Sequence, residues 1–213
     1  AESWTSADRV TLMAVVEEAA RADRLVRDFL DLARDEAGRL VVDREPFDPI
    51  QLVEKLVQDV HALSWGGRVK FFDKTDASDR RILVAGNAER YRQCALNLLE
   101  NASKYSSDSQ SIDMVASLKA DQFLLSVIDQ GPGIPRDEYD KIFLPFYRSV
   151  SVSGSVPGTG IGLAIVKLLM QRMGGDVAVV DHPQPGACLQ LRLPVSGFSP
   201  PEASGAMAKV SNP

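Results

Sequence analysis

Leu12, Val15, Ala19, Ala22, Val26, Phe29 and Ala33 are spaced alternately three and four residues apart. That spacing is the seam of an α-helix packed lengthwise against other helices. Val16, Leu25, Leu30 and Leu32 widen the apolar face beyond a two-stranded seam, which suits a bundle. The pattern predicts one long helix from about Ser6 to Ala37. Ser6 followed by Arg9 is a partial capping signal, and Gly38 is a stop.

Beyond Gly38 the pattern shortens. Leu40–Arg44 reads as a short strand, and Pro46 and Pro49 bracket a linker. Asp48 is placed to cap a second helix running to about Ala62. Strand-like runs follow at Val69–Asp73 and Arg81–Val84, then a helix from Ala88 to Lys104. Ile112–Leu118 and Phe123–Ile128 alternate as strands, with a turn near Gln122. A helix opens after Gly160 and stops at Gly174-Gly175, and Val177–Val180 and Cys188–Leu193 complete the strands. The expectation is an α+β fold, a two-layer sandwich with a mixed, largely antiparallel sheet, preceded by a long bundle helix. The division it suggests is 1–38 partial bundle, 39–48 linker, 49–195 main domain and 196–213 flexible tail.

The 213 residues are 45% hydrophobic and 25% charged, enough for a sizeable core. A net charge of -5 argues against a nucleic-acid binder with a broad basic surface. Cys94 and Cys188 form no CxxC pair and read as buried thiols in a reducing compartment. No apolar run approaches the roughly 20 residues that span a bilayer, and Ala1-Glu2-Ser3-Trp4 does not open a signal peptide. Any membrane anchor is expected outside this chain.

Four clusters carry chemistry. Asn97, Asn101 and Lys104 share the polar face of a helix whose other side carries Leu96, Leu98 and Leu99. Amide oxygens suit Mg²⁺ and a lysine can meet phosphate, but a solvated helix face would look the same. Asp129-Gln130-Gly131-Pro132-Gly133-Ile134 follows a strand. There a carboxylate can accept from an exocyclic amine, and glycines admit a flat ring; an ordinary strand-ending turn is the alternative. Phe143-Leu144-Pro145-Phe146-Tyr147-Arg148 offers aromatic anchors and an arginine for phosphate, although alone it reads better as packing. Gly158-Thr159-Gly160-Ile161-Gly162-Leu163 opens a helix, a setting in which free backbone N–H groups bind phosphate. Residues 149–157 before it are small and suit a lid.

In order, spacing and placement these clusters resemble the N, G1, F and G2 boxes of the catalytic domain of sensor histidine kinases. That family belongs with gyrase, the ninety-kilodalton heat-shock chaperones and the mismatch-repair ATPases. The resemblance covers roughly residues 45 to 195. Arg24-Leu25-Val26 through Asp31–Gly38 also looks like the second helix of the family's dimerisation bundle.

The resemblance implies an ATP site. Asn101 would ligate Mg²⁺ with Asn97 alongside, Lys104 and Arg148 would meet phosphate, and Tyr105 would line the adenine or ribose side. Asp129 would accept from the adenine amine, with Gly131 and Gly133 letting the loop pass close to the base. Gly158, Thr159, Gly160, Gly162 and Leu163 would form the phosphate turn and its helix start. In hydrolysing relatives a glutamate one turn before the Mg²⁺ asparagine activates water. Here that position is Asn97, and an amide is no general base. Glu100 lies about 100° further round the helix.

Transfer to a side chain is therefore favoured over water attack. The implied function is histidine phosphorylation from ATP, for relay to a response regulator. The implied setting is a cytoplasmic domain of a bacterial inner-membrane protein that dimerises through the first helix. His61 and His182 lack the acidic context of the family's phosphoacceptor and read as structural or exposed. The acceptor helix is expected outside this sequence, which would leave the seam exposed and self-associating. A non-catalytic module scaffolding a partner kinase is the alternative. A serine kinase of the anti-sigma type fits poorly with the long first helix, and a stand-alone ATPase fits poorly with Asn97.

Overall fold

Helix α1 (Ser6–Glu36) stops where Gly38 takes φ +65°. Arg39 N donates to Arg34 O at 2.7 Å and Gly38 N to Asp35 O at 2.8 Å, closing the last carbonyls in a Schellman turn. The computed structural model describes residues 6–77, 81–149 and 158–199. Among the described residues no helix is long and apolar enough to cross a membrane.

The predicted strand Leu40–Arg44 does not form. Those residues run without a ladder, held instead by burial of Leu40 and by Arg44, whose Nε and Nη2 donate to Arg172 O at 3.0 and 2.6 Å. The ladder begins inside the expected linker. Strand β1 (Glu45–Phe47) pairs antiparallel with β3 (Arg81–Gly86), Glu45 opposite Gly86. β1 is the sheet edge, the one place where Pro46 is tolerated in a strand.

Helix α2 (Pro49–Val60) starts as predicted. Asp48 Oδ1 accepts from Ile50 N and Gln51 N at 2.9 and 3.2 Å, and Pro49 takes the first helical position. After a 3₁₀ turn at Gly66–Arg68 comes β2 (Val69–Lys74). Helix α3 (Ala88–Tyr105) is capped by Asn87, whose side chain accepts from Arg90 N at 3.0 Å. The hairpin of β4 (Ile112–Lys119) and β5 (Gln122–Ile128) turns at Ala120-Asp121. Gln122 thus belongs to a strand, paired with Lys119. Helix α4 (Gly162–Arg172), β6 (Asp176–Val179) and β7 (Cys188–Ser199) complete the chain.

The seven-stranded sheet runs β1-β3-β7-β5-β4-β2, with β6 also on β7. Among the described residues only the β2–β4 pair is parallel. β7 is the hinge of this arrangement. Its first half pairs with β5 and β6, and its last residues pair with β3, Arg81 opposite Ser199. Residues 196–199, expected in the tail, are therefore sheet.

Helices α2, α3 and α4 cover one face. Leu56, Leu98, Leu99, Ile165 and Leu169 are fully buried there, with Met114, Leu125, Val177 and Leu191 from the strands. The α+β two-layer sandwich is the observed fold, and it gathers the end of β5, the end of α3 and the start of α4 at one rim. Both cysteines are buried and free. His61 Nε2 lies 3.2 Å from Val69 O and His182 Nδ1 accepts from Gln184 N at 3.3 Å, local roles consistent with the structural reading.

Candidate functional site

Two adjoining cavities open at that rim, sharing Asn101, Tyr105, Ile142, Tyr147, Arg148 and Leu163. The less polar one is floored by Asp129, at the end of β5, with Gly133, Ile134 and Leu189 around it. The other carries Asn97, Lys104 and the turn Gly158-Thr159-Gly160 before α4. The predicted polar face of α3 is therefore a cavity wall. Residues 150–157, the expected lid, lie outside the described residues; Ser149 at their start lines the Asp129 cavity.

Asp129 is 7% exposed. Its Oδ1 accepts from Gly131 N at 2.8 Å and from Ala187 N at 3.1 Å, and Oδ2 accepts no bond from the described residues. Burial raises its pKa above the ordinary carboxylate value, and the two N–H donors oppose that rise. One carboxylate oxygen is thus locked in place and the other is presented to the cavity.

Gly131 does not line either cavity. It lies against the backbone of Tyr105, where an added Cβ would collide with the carbonyl oxygen. It lets the loop close on α3, and its N–H orients Asp129. Gly160, at φ +73°, is wedged against Phe146 and Tyr147, and Phe146 N donates to Gly160 O at 2.9 Å. The aromatic loop and the glycine turn therefore support each other. Packing explains only part of that loop. Phe143 packs on the core and lies 5.5 Å from Lys167 Nζ. Leu144 and Phe146 are 55% and 64% exposed, and Phe146 holds a positive φ of 63°.

Asn97 is buried, and its Nδ2 donates to Gly162 O at 3.5 Å, tying α3 to the start of α4. Glu100, placed outside the site by helix angle, does line the Asn97 cavity. Arg24 Nη2 reaches in from α1 and holds Glu100 Oε1 at 2.6 Å. Arg24, Asp28, Glu138, Ile142, Ala187 and Leu189 are lining residues that the sequence did not assign to the site. Ala187 acts through its N–H and had no side-chain signal. Arg24 and Asp28 had one, in the spacing of charges along α1.

A model of the histidine kinase-, DNA gyrase B- and HSP90-like ATPase family matches residues 86–197, just over half of the chain. The chain belongs to this family. It is similar to the sensor protein TorS of Escherichia coli (strain K12), 34% identical over 192 residues, covering 89% of this chain and 20% of TorS. It is also similar to the histidine-protein kinase/phosphatase MprB of Mycobacterium bovis (strain BCG / Pasteur 1173P2), 31% identical over 216 residues, covering 94% of this chain and 38% of MprB. The chain thus spans between a fifth and two fifths of these relatives. Among solved structures, full-length ShkA in complex with AMPPNP superposes with a TM-score of 0.67 at 27% identity, covering 95% of this chain and 41% of ShkA. These relatives are named as a sensor protein and a histidine-protein kinase/phosphatase.

The cavities fit a nucleotide. A flat base suits the less polar cavity above Asp129 Oδ2. The glycine turn and the start of α4 line the other cavity, beside Lys104 and Arg148, the setting in which a helix N-terminus suits phosphate. The amides of Asn97 and Asn101 stand in that second cavity, a donor set suited to Mg²⁺ on phosphate oxygens.

Proposed function

We propose that this chain binds Mg²⁺-ATP and serves as the donor half of a two-component kinase. The γ-phosphate would pass to a histidine outside this sequence, for relay to an aspartate of a response regulator. The observation that carries the reading is the pair of joined cavities, one presenting Asp129 Oδ2 and the other presenting Lys104, Arg148 and the α4 N-terminus. Asp129 selects the base through its amine. Tyr105 and Leu163 border both cavities and orient the nucleoside between them. Asn101, with Asn97 behind it, would hold Mg²⁺, whose chemistry is to neutralise the phosphate charge. Lys104 and Arg148 steady the oxygens of the transferring group.

Asn97 has no base to offer water, and Glu100 Oε1 is engaged by Arg24. We assign residues 45–199 to the catalytic domain, extended at both ends by β1 and the end of β7, and residues 6–38 to one helix of the bundle.

Calorimetric titration with AMPPNP and Mg²⁺ tests the reading, paired with a hydrolysis assay on ATP. Binding with negligible turnover is expected, as is transfer once a separate helix carrying a phosphoacceptor histidine is added. Rapid hydrolysis by the chain alone, or no nucleotide binding, would sink it.

A further inference from the structure

The polar face of α1 is as regular as its apolar seam. Arg24, Asp28, Asp31 and Asp35 each lie two positions beyond a seam residue, namely Ala22, Val26, Phe29 and Ala33. Two positions are about 200° of helix, so the stripe and the seam occupy opposite faces. Every member of the stripe has a partner across the interface. Arg24 meets Glu100 at 2.6 Å, and Gln93 Nε2 donates to Asp28 Oδ1 at 2.7 Å. Arg90 clamps both oxygens of Asp31 at 2.6 and 3.1 Å, and Arg172 Nε donates to Asp35 Oδ1 at 2.8 Å. The ladder lays α1 along α3 and onto the end of α4, and its first rung ends in the cavity assigned to phosphate.

That cavity has an unusual charge pattern for a polyphosphate. Two carboxylates, Asp28 and Glu100, line it beside Lys104 and Arg148. Each would repel phosphate oxygens through a partly dry space, where charges interact more strongly than in water. Arg24 is one third exposed, and its one bond to Glu100 uses Nη2 alone, leaving most of a five-donor guanidinium fork for another anion.

We propose that Arg24, carried into the site by the bundle helix, contacts the terminal phosphate of a bound nucleoside triphosphate, exchanging Glu100 for it. This rests on the nucleotide reading above and adds to it a residue from outside the catalytic domain. A diphosphate lacks the terminal phosphate that this contact needs, so the docked position of α1 would distinguish ATP from ADP. Glu100 is the resting partner that keeps the guanidinium at the rim.

Calorimetry on the full chain, with Mg²⁺-AMPPNP and Mg²⁺-ADP as probes, tests this using Arg24→Gln and Glu100→Gln. Loss of one charge-assisted contact should weaken AMPPNP binding about tenfold in Arg24→Gln. ADP affinity should stay within about twofold, which also reports an intact fold. Glu100→Gln breaks the same ion pair but removes a competitor and a like charge, so AMPPNP should bind as well as before or more tightly. If both variants weaken AMPPNP, the pair is only a strut holding α1, and the proposal fails. It also fails if Arg24→Gln leaves AMPPNP unchanged or weakens ADP equally. No binding of either probe by the unsubstituted chain would overturn the nucleotide reading itself, and this proposal with it.

Discussion

Asp129 is arranged to meet one donor. Two backbone N–H groups fix Oδ1, and Oδ2 faces the cavity with no partner among the described residues. Adenine offers an amine where guanine offers a carbonyl, so a carboxylate here discriminates by repulsion as well as by attraction. In Asp129→Asn the amide oxygen keeps the backbone bonds, which turns the NH₂ toward the cavity. A donor then faces the adenine amine. ATP affinity should fall about 100-fold, the scale of an unmatched buried polar pair, and the preference for ATP over GTP should narrow. Competition binding with the two nucleotides measures both, and an unchanged ATP/GTP ratio would contradict the assignment. Asp129, Gly133 and the turn from Gly158 to Leu163 were legible because their signals are local: a carboxylate at a strand end, and glycines at a helix start. Ala187 was not, because it contributes only a backbone N–H. Tyr147 was legible only as an aromatic anchor, and the fold of its loop is what brings it to both cavities.

At the scale of elements, α1 shows what periodicity reveals and what it hides. The apolar seam was readable, while the opposite stripe looked like an ordinary solvated face because charged residues normally are solvated. Its burial depends on partners that lie between 59 and 137 residues away, as Arg90 and Arg172 do. Counting from Asp31, Arg90 is 59 positions distant, and counting from Asp35, Arg172 is 137. Strand β1 and the end of β7 were obscured for a related reason. Two prolines near β1, and Pro194, Ser196 and Gly197 in β7, read as breaks, but pairing with β3 decides the outcome.

The stripe also carries a pH dependence. Asp28 is raised from 3.8 to about 6, chiefly by burial. Gln93 opposes the rise, Asp31 and Glu100 add to it, and Arg24 opposes it. Cys94, packed beneath, is held well above the ordinary thiol range by burial. A raised carboxyl favours the protonated folded state. Its stabilising effect is complete below about pH 3.8 and is lost as pH rises through about 6. The docked helix should therefore be more stable at pH 5 than at pH 8. Asp28→Asn keeps an acceptor for Gln93 and removes the buried charge. It should raise stability at pH 8 by up to about 3 kcal/mol and flatten the slope between pH 4 and 7. Thermal melts across that range check it, and an unchanged slope would place the titration elsewhere.

For the whole molecule, one face of α1 is occupied and, among the described residues, the other is left exposed. The polar stripe docks on the catalytic domain, while Leu12, Val15, Val26 and Phe29 remain 48% to 60% exposed. A contiguous apolar stripe of this kind marks an association surface. The spacing that predicted a bundle also specifies how two copies would meet, seam to seam about a twofold axis, with both catalytic domains held outward by their stripes. Sedimentation equilibrium on the chain should show a concentration-dependent dimer. Val26→Glu would place a carboxylate from each copy into a desolvated seam, at a cost on the order of 3 kcal/mol, and should shift the midpoint to roughly 100-fold higher concentration. Because Val26 lies about 200° around the helix from Arg24 and Asp28, AMPPNP affinity should not change. A strictly monomeric chain at high concentration would refute the association. A Val26→Glu variant that stays dimeric but loses nucleotide would show that copies meet through the catalytic face instead.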